Sequence, residues 1–490
     1  MAITIILFLF VACIVVAAHI TNPFSQLSIV KQTFIVEVLH GSFKAVNRNS
    51  KLTVRQQWWW RMFYYAKIFV YVLTSRYAHS PSAKSTTVDG IIADIHAHRF
   101  RPDRLLLTSG DHFSPLFVRN LGVFYYPMLD TAIQSTDQDW QNRQIVYLQT
   151  VAYALGVFDK YPIPVTTIAA AGAYAATCVN VYAYPSDTVY SILFALSTLT
   201  GREPATAAGS VTKPRHTLAT PAVAEQLLDE YRPLLQTLYA QYREHVFDEQ
   251  RGLIRTNVHL SGAKDITKRT CAFYDNVIFW KTTQLAASLG VIPEDAKFLH
   301  ALKQRILETF WLPDEGYFLE DVSEEGVRHR YYSSDWLIVL VTGFLSPKKQ
   351  SERAYFTRSI TYIQEQGIDT PLPLKYQHER RAHRQFFWVR LTMAAYGGDA
   401  IWSFWGMEYI KVLLLLYTYT KDTTYWEAAD AHIAAYEHAM LRDHGFPEVY
   451  DAKGALLETF IYRSIRQTGW VIGFEQVRTL RAAIAESRQA

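Results

Sequence analysis

Carboxylates accompanied by tryptophan, tyrosine, arginine or glycine recur in five irregular segments of this sequence, at 108–130, 252–275, 331–343, 396–408 and 444–475. A positioned carboxylate can transfer a proton, and an aromatic ring can stack on the apolar face of a sugar. Acid–base hydrolysis of a glycosidic bond requires a pair of such carboxylates. The candidate site residues are Asp111, Arg119, Asp265, Asp275, Asp335, Trp336, Trp402, Trp405, Glu408, Glu448 and Trp470.

Each candidate also has a purely structural explanation. Asp111 and Asp335 stand just before segments expected to be helical, where an aspartate commonly caps the helix. Asp265 follows Lys264 directly, so it can be a loop carboxylate whose pKa the neighbouring cation lowers. The other carboxylates and arginines can form buried ion pairs, and most tryptophans of a helical core pack without binding anything.

The segments between these irregular stretches are predicted to be helices, and they must position the candidates. Apolar residues recur there every three or four positions, and strand-like alternation is scarce. The helices are predicted at 140–155, 185–199, 221–242, 274–289, 295–309, 351–366, 401–420 and 424–441. Because the loops are uneven and no fixed repeat is evident, we expect an all-α fold of helical hairpins closed into a toroid, with loops at one end forming a funnel.

Composition favours a folded enzyme-sized domain. The 490 residues are 50% hydrophobic and 14% aromatic, with a formal net charge of +4. Because that charge is small and forms no stripe along the main domain, nucleic acid is an unexpected partner. The three cysteines lie far apart, so neither a disulfide nor a zinc site is predicted, and no cofactor is expected.

The N-terminus is predicted to associate with a membrane. Residues 1–20 carry no charge and are long enough to cross a bilayer as a helix, although a cleaved signal peptide is an alternative. Residues 21–88 are predicted to be a basic, aromatic helical region that ends in a polar linker, and 89–490 the catalytic domain. The basic residues after the apolar segment place that domain on the cytoplasmic side, by the positive-inside tendency.

Several motifs, in order along the chain, resemble those of one group of glycosidases. They are the stretches SGDHF at 109–113, VRNLG at 118–122, GLI at 252–254, SGAKD at 261–265, YGGDAIW at 396–402 and GFPEVYD at 445–451. In that order they are similar to the motifs of the (α/α)6 toroid glycosidases. That group includes the family 63 α-glucosidases, mannosylglycerate and glucosylglycerate hydrolases, trehalases and the glucosidase part of debranching enzymes.

The resemblance implies an inverting glycoside hydrolase of the α-glucosidase type. It assigns the general acid to Asp265 and the general base to Glu448, with Asp335 as the second candidate for the acid. Its substrate is a carbohydrate, and its chemistry needs no metal ion. Asp111, Arg119, Asp275 and the tryptophans of the matching segments are then expected to bind sugar.

Two other functions remain compatible with the sequence. A toroid that binds glycan without cleaving it is one, since Gly110 stands where the resembling enzymes carry arginine. A polysaccharide lyase or phosphorylase on the same fold is the other. A lyase would use a tyrosine and histidine near cations, for which Tyr331, Tyr332 and His329 are the candidates.

Overall fold

The computed structural model describes residues 35–40, 55, 82–102, 105–106, 116–160, 167–170, 175–180, 185–203, 211–258, 260, 263–264, 267–380, 385–459 and 462–489. Its α-helices are α1 Val88–Arg99, α2 Arg119–Val123, α3 Asp137–Lys160, α4 Asp187–Leu199, α5 Pro221–Val246, α6 Phe273–Ser288, α7 Ala296–Phe310, α8 Glu324–His329, α9 Ile338–Val341, α10 Gln350–Glu365, α11 Phe387–Thr392, α12 Ser403–Thr420, α13 Thr423–Asp443 and α14 Val471–Gln489. Short 3-10 helices span Tyr126–Leu129 and Ser334–Leu337.

Strands are short and lie beside the helices. One four-stranded sheet has the order β1-β4-β3-β2, from β1 Ile35–His40, β2 Leu116–Phe117, β3 Thr167–Ala170 and β4 Ala175–Asn180. Only β1 and β4 pair in parallel in this sheet. Three antiparallel pairs join β5 Phe247–Asp248 to β6 Leu253–Ile254, β7 Trp311–Leu312 to β8 Tyr317–Phe318, and β9 Ile401–Trp402 to β10 Val449–Tyr450.

The helices form a closed double ring. Helix α2 packs on α4, α4 on α6, α6 on α9, α9 on α12 and α12 on α14. Helix α14 then contacts the 3-10 turn that follows α2, which closes the inner ring. Helices α1, α3, α5, α7, α10 and α13 alternate with these along the chain and form the outer layer. The predicted (α/α)6 toroid is therefore confirmed for the part of the chain that the structure describes.

The burial of the helices follows from their place in the rings. All 13 residues of inner helix α4 are buried, its five polar side chains included, because neighbouring helices cover it on every side. Outer helix α7 instead buries Leu302, Ile306 and Phe310 along one stripe and exposes its other face. The side chain of Asp295 caps α7 by accepting a hydrogen bond from the amide of Phe298.

Alternation of inner and outer helices fixes their directions. Each inner helix is connected to the next through one outer helix that returns along the ring, so the inner helices run in parallel. Their N-termini therefore lie at one end of the toroid, which we call the site end. The predicted convergence of the irregular segments on one end follows from this arrangement.

The N-terminal predictions fall mostly outside the described residues. The apolar segment 1–20 is among the residues not described. Within the described ranges, none of the helices combines the length and apolar character that crossing a bilayer needs. Residues 35–40, in the region predicted to be helical, form strand β1. The helical prediction is wrong for this stretch, because the strand is formed by pairing with β4, which is distant in sequence.

Candidate active site

The first turns of the inner helices bring several predicted site residues to the site end. Five of the six inner helices each contribute one predicted polar or aromatic residue from their start, because every inner helix begins there. These residues are Arg119 in α2, Asp275 in α6, Asp335 in the 3-10 turn before α9, Trp402 before α12 and Trp470 before α14. The ring thus collects residues that lie far apart in the sequence.

Glu448 is held beside the N-terminus of α12. Strand β10 pairs with β9 at the register Val449 opposite Trp402. The carbonyl oxygen of Glu448 accepts hydrogen bonds of 3.1 Å from both the amide and the hydroxyl of Ser403. Its side chain is only 5% exposed. The amide of Glu448 donates to the carbonyl oxygen of Ile465 at 3.1 Å, so its backbone is held on both sides.

One tyrosine contacts the carboxylate of Glu448 directly. The Tyr462 hydroxyl donates a hydrogen bond of 2.9 Å to Oε2 of Glu448. Burial and the nearby carboxylate both raise the pKa of Tyr462 well above its ordinary value. Tyr462 therefore stays protonated, and it remains a hydrogen-bond donor to Glu448 at neutral pH.

Aromatic rings pack in succession from Tyr462 into the site end. The ring of Tyr396 lies 4.8 Å from that of Tyr462 and 4.7 Å from that of Trp402. Trp402 in turn lies 6.0 Å from Trp470 and 5.2 Å from Tyr376. We call these five residues the aromatic cluster. Trp402 is 5% exposed and Trp470 is 3% exposed, so most of each indole is engaged in packing.

Asp265 and Asp111 lie outside the described residues, but the two residues just before Asp265 are placed next to the aromatic cluster. The Tyr376 hydroxyl donates a hydrogen bond of 3.2 Å to the carbonyl oxygen of Ala263. The ammonium group of Lys264 lies 5.2 Å from the centre of the Tyr376 ring. The residues that lead into Asp265 therefore contact the aromatic cluster through Tyr376, and Glu448 contacts it through Tyr462.

The charge of Lys264 is neutralised by a carboxylate that the sequence analysis did not single out. Lys264 Nζ donates to Oε1 of Glu320 at 2.7 Å, and Gln377 donates to Oε2 at 3.0 Å. The two side chains of the ion pair are 1% and 4% exposed. Glu320 follows strand β8, and 56 residues separate it from Lys264. No local sequence signal indicates such a pair.

Arg269 lies between two buried carboxylates, Asp335 and the same Glu320. Its Nη1 lies 2.6 Å from Oδ2 of Asp335 and 3.6 Å from Oε1 of Glu320. Burial alone would lower the pKa of Arg269, but Asp335, Asp275 and Glu320 together raise it above its ordinary value. Asp335 is therefore held in direct contact with a guanidinium group, in a buried ion pair.

Two further carboxyl groups are buried in the first turns of α4 and α6. Burial raises the pKa of Asp275 to about 6 although Arg269 opposes the shift, and the Ser186 hydroxyl donates to it at 2.5 Å. Burial raises the pKa of Asp187 to about 7 against the opposing charge of Arg119. The Tyr274 hydroxyl donates to Asp187 at 3.2 Å. Asp187 was not among the predicted site residues, because an aspartate at the start of a helix is usually explained by the helix terminus alone.

Three predicted residues lie in the core instead. Trp336 is 1% exposed and its indole nitrogen donates to the hydroxyl of Tyr332, while Trp405 is 0% exposed. Glu408 is also 0% exposed, and its oxygens accept hydrogen bonds from Lys411 at 2.6 Å and Tyr126 at 3.0 Å. These side chains have no open face for a ligand, so we leave them out of the proposed site.

A large cavity lies elsewhere in the described part of the chain. It has a volume of about 800 Å³ and is lined by α1, α3, α13 and α14, with His96, Arg143 and Glu475 on its wall. Glu448 and the aromatic cluster do not line it. His96 Nε2 and Glu475 Oε2 lie 2.8 Å apart, and Arg143 Nη2 lies 3.3 Å from the same oxygen. These ion pairs connect α1 and α3 to α14. The three charged side chains are therefore explained by packing between helices, and we place the candidate site at the site end.

No protein-family model matches the chain. No curated protein matches it in sequence. Solved structures are similar in shape. One is a rhamnosidase from Klebsiella oxytoca with rhamnose bound, at 13% identity and a TM-score of 0.49, with 81% of this chain and 65% of that one covered. This chain therefore spans less than two thirds of that enzyme.

In two other similar structures, the match covers nearly the whole of the solved chain. A family 63 mannosylglycerate hydrolase from Thermus thermophilus in complex with glucose is 12% identical, with a TM-score of 0.46 and coverage of 79% of this chain and 98% of that one. A metal-independent alpha mannosidase of Streptococcus pneumoniae is 12% identical, with a TM-score of 0.43 and coverage of 89% and 99%. At this level of likeness the activity of this chain has to be argued from its own geometry.

Proposed function

We propose that this protein is an inverting glycoside hydrolase in which Glu448 is the general base and Asp265 the general acid. The observation that carries the proposal is the buried carboxylate of Glu448 at the site end, hydrogen-bonded to Tyr462 of the aromatic cluster. An α-glucoside is the substrate type that the sequence resemblance implies.

Glu448 is suited to activate a water molecule. In inversion, a carboxylate removes a proton from water as the water attacks the anomeric carbon from the face opposite the leaving group. The hydrogen bond from Tyr462 stabilises the ionised form and orients the carboxylate. The backbone contacts of Ser403 prevent Glu448 from moving with the loop after β10.

Asp265 is proposed to protonate the leaving oxygen. A general acid must hold its proton at working pH, and an uncompensated lysine next to it would oppose this. Lys264 instead forms a buried ion pair with Glu320 at 2.7 Å, so its positive charge is compensated. The anchoring of Ala263 by Tyr376 supports a position for Asp265 across the aromatic cluster from Glu448. Inversion requires a separation of roughly 6.5–9.5 Å between the two carboxyl groups.

Asp335 is the weaker candidate for the acid. Its carboxylate is engaged by Arg269 at 2.6 Å in a buried ion pair, so it is not free to approach a leaving group. Asp335 is better suited to position Arg269 and the segment at 267–269. A lyase is also less well supported, because burial raises the pKa of Tyr332 far above the range in which a tyrosine can act as a base.

We also propose that the chain is anchored to a membrane through residues 1–20, with the catalytic domain on the cytoplasmic side. The support is the uncharged apolar sequence and the basic residues that follow it. Protease treatment of intact and permeabilised cells tests the orientation. Cleavage of the domain in intact cells would place it on the outer side and contradict the proposal.

Sugar release by the purified full-length protein tests the enzymatic function. The panel consists of α-glucosides, trehalose and maltooligosaccharides, extended to α-mannosides and α-rhamnosides. Asp265→Asn and Glu448→Gln are compared with the exposed controls Asp314→Asn and Glu427→Gln. We expect release by the wild type and both controls, and loss of release in both site variants. Saturable sugar binding without release, retained in the site variants, would identify a binding protein instead.

A further inference from the structure

A short helix at the site end exposes two large apolar side chains. In α11, Phe387 is 76% exposed and Leu391 is 69% exposed. They lie four positions apart and therefore on the same face of the helix. Val389, on the opposite face, is completely buried. The helix is thus anchored through one side and presents an apolar surface on the other.

The segment that carries α11 runs between the two halves of the proposed active site. Before the helix, Gln385 forms an antiparallel bridge with Thr267, two residues beyond Asp265. After the helix, Tyr396 packs on Trp402 and on Tyr462, the hydrogen-bond donor to Glu448. The exposed face of α11 therefore borders the entrance to the site.

The same segment and the residues before it carry positive charge. Residues 379–399 contain four arginines and two acidic residues, one at each end. Arg390, within α11, is exposed. Lys268 is exposed beside the helix, and its ammonium group lies 4.9 Å from the ring of Phe386. Cations around exposed aromatic and aliphatic side chains are typical of a segment that lies in a membrane interface.

We propose that the surface formed by Phe387, Leu391, Arg390 and Lys268 rests on an anionic lipid membrane. The apolar side chains enter the boundary between headgroups and acyl chains, while the cations contact lipid phosphates. Charge complementarity selects a lipid surface over a second copy of the chain, because two copies would oppose like charges. This contact does not depend on hydrolysis. Where the proposed hydrolase function also holds, it directs the site entrance to glycans presented at a membrane.

Site-specific labelling separates this contact from binding through residues 1–20. The full-length protein, with Cys13 and Cys178 changed to serine and buried Cys271 retained, receives a single cysteine at Phe387 or Leu391. Val223→Cys is the matched control, because it is 54% exposed in the first turn of outer helix α5, at the opposite end of the toroid. Each cysteine carries a nitrobenzoxadiazole fluorophore. The vesicles contain phosphatidylcholine alone or a mixture with phosphatidylglycerol.

On the mixed vesicles we expect a blue shift and a severalfold rise in emission at 387 and 391, with no change at 223. Changing Arg390 to serine should reduce the response, as should phosphatidylcholine alone. Unchanged emission at 387 and 391 on mixed vesicles overturns the proposal, whether or not the protein sediments with them. A blue shift that appears without vesicles also overturns it: dependence on protein concentration would identify self-association, and dependence on an added alkyl glycoside would identify an aglycone site.

Discussion

The hydroxyl of Tyr462 lies 2.9 Å from Oε2 of Glu448 and donates a hydrogen bond to it. This contact joins two residues of the loop that follows α13, and it occurs beside the N-terminus of α12. It gives the proposed general base a fixed orientation. Because Tyr462 also packs on Tyr396, the carboxylate and the aromatic cluster are parts of one arrangement.

Tyr462→Phe should lower kcat while leaving the fold intact. The variant keeps the ring that packs on Tyr396 but loses the hydrogen bond to Glu448. Because a hydrogen bond to a charged group contributes about 1.5–3 kcal/mol, we expect a loss of roughly 10- to 100-fold in kcat. Steady-state kinetics and circular dichroism measure both properties. Tyr425→Phe, on outer helix α13, is the control, and an equal loss in both variants would refute the role of Tyr462.

Glu320→Gln should destabilise the protein strongly. It leaves the buried cations Lys264 and Arg269 without their shared carboxylate. Loss of one partner from a buried ion pair costs about 3–5 kcal/mol, and we expect a decrease of this size in the free energy of unfolding. Chemical denaturation measures it. Glu225→Gln breaks the ion pair with Arg202, whose side chains are 38% and 37% exposed, and should cost at most about 1 kcal/mol. Similar losses in both variants would contradict the prediction.

Asp187→Asn should become relatively more stable than the wild type as the pH rises. The pKa of Asp187 is about 7 in the folded chain, against an ordinary value of 3.8. Between these values the folded chain retains a proton that the unfolded chain has released, so stability falls as the pH rises through this window. Asparagine cannot titrate, so the variant lacks this loss, which amounts to at most about 1.4 kcal/mol per pH unit.

Melting temperatures of the wild type and Asp187→Asn at several pH values between 5 and 8 test this dependence, because the loss should be progressive up to about 7 and level off above it. The difference should shift in favour of the variant across that range. Asp314→Asn, at an exposed position, should show a constant difference. A constant difference for Asp187→Asn as well would mean that its carboxyl group titrates at an ordinary pKa.

The leaving group of the substrate should distinguish Asp265 from Asp335 as the acid. Loss of a general acid matters little when the leaving group is already a good one, because it departs without a proton. Asp265→Asn should therefore lose far more activity on an alkyl glycoside than on a dinitrophenyl glycoside. Asp335→Asn, which frees the buried Arg269, should reduce activity on both substrates equally. The reverse pattern would assign the acid to Asp335.

The helices were the part of the fold that the sequence predicted best. All eight predicted segments match observed helices within a few residues; for example, 274–289 corresponds to Phe273–Ser288. Their apolar spacing is a local property, so a single sequence contains it. Helices α1 and α14 were not among those predicted: the segment at 444–475, taken as a candidate site region, runs into the start of α14.

Contacts between distant residues were beyond prediction. Glu448 was identified from its motif, and the structure gives it a buried position at the site end. Its partner Tyr462 lies 14 residues away, and Lys264 pairs with Glu320 across 56 residues. Those pairs depend on how the ring closes, and no spacing in the sequence encodes that closure. Trp405 and Glu408 were predicted to be site residues, but both are buried in the core. Nearness to a motif in the sequence therefore does not place an aromatic or acidic residue in the site.

The anomeric form of the first product tests the central claim most directly. Proton nuclear magnetic resonance is recorded during hydrolysis of an α-glycoside by the wild type and by Glu448→Gln. Inversion through Glu448 predicts that the β-anomer appears first and that the variant loses about a hundredfold or more in rate. An α-anomer as the first product, or a Glu448→Gln variant with the wild-type rate, would contradict the assignment of Glu448 as the general base of an inverting hydrolase.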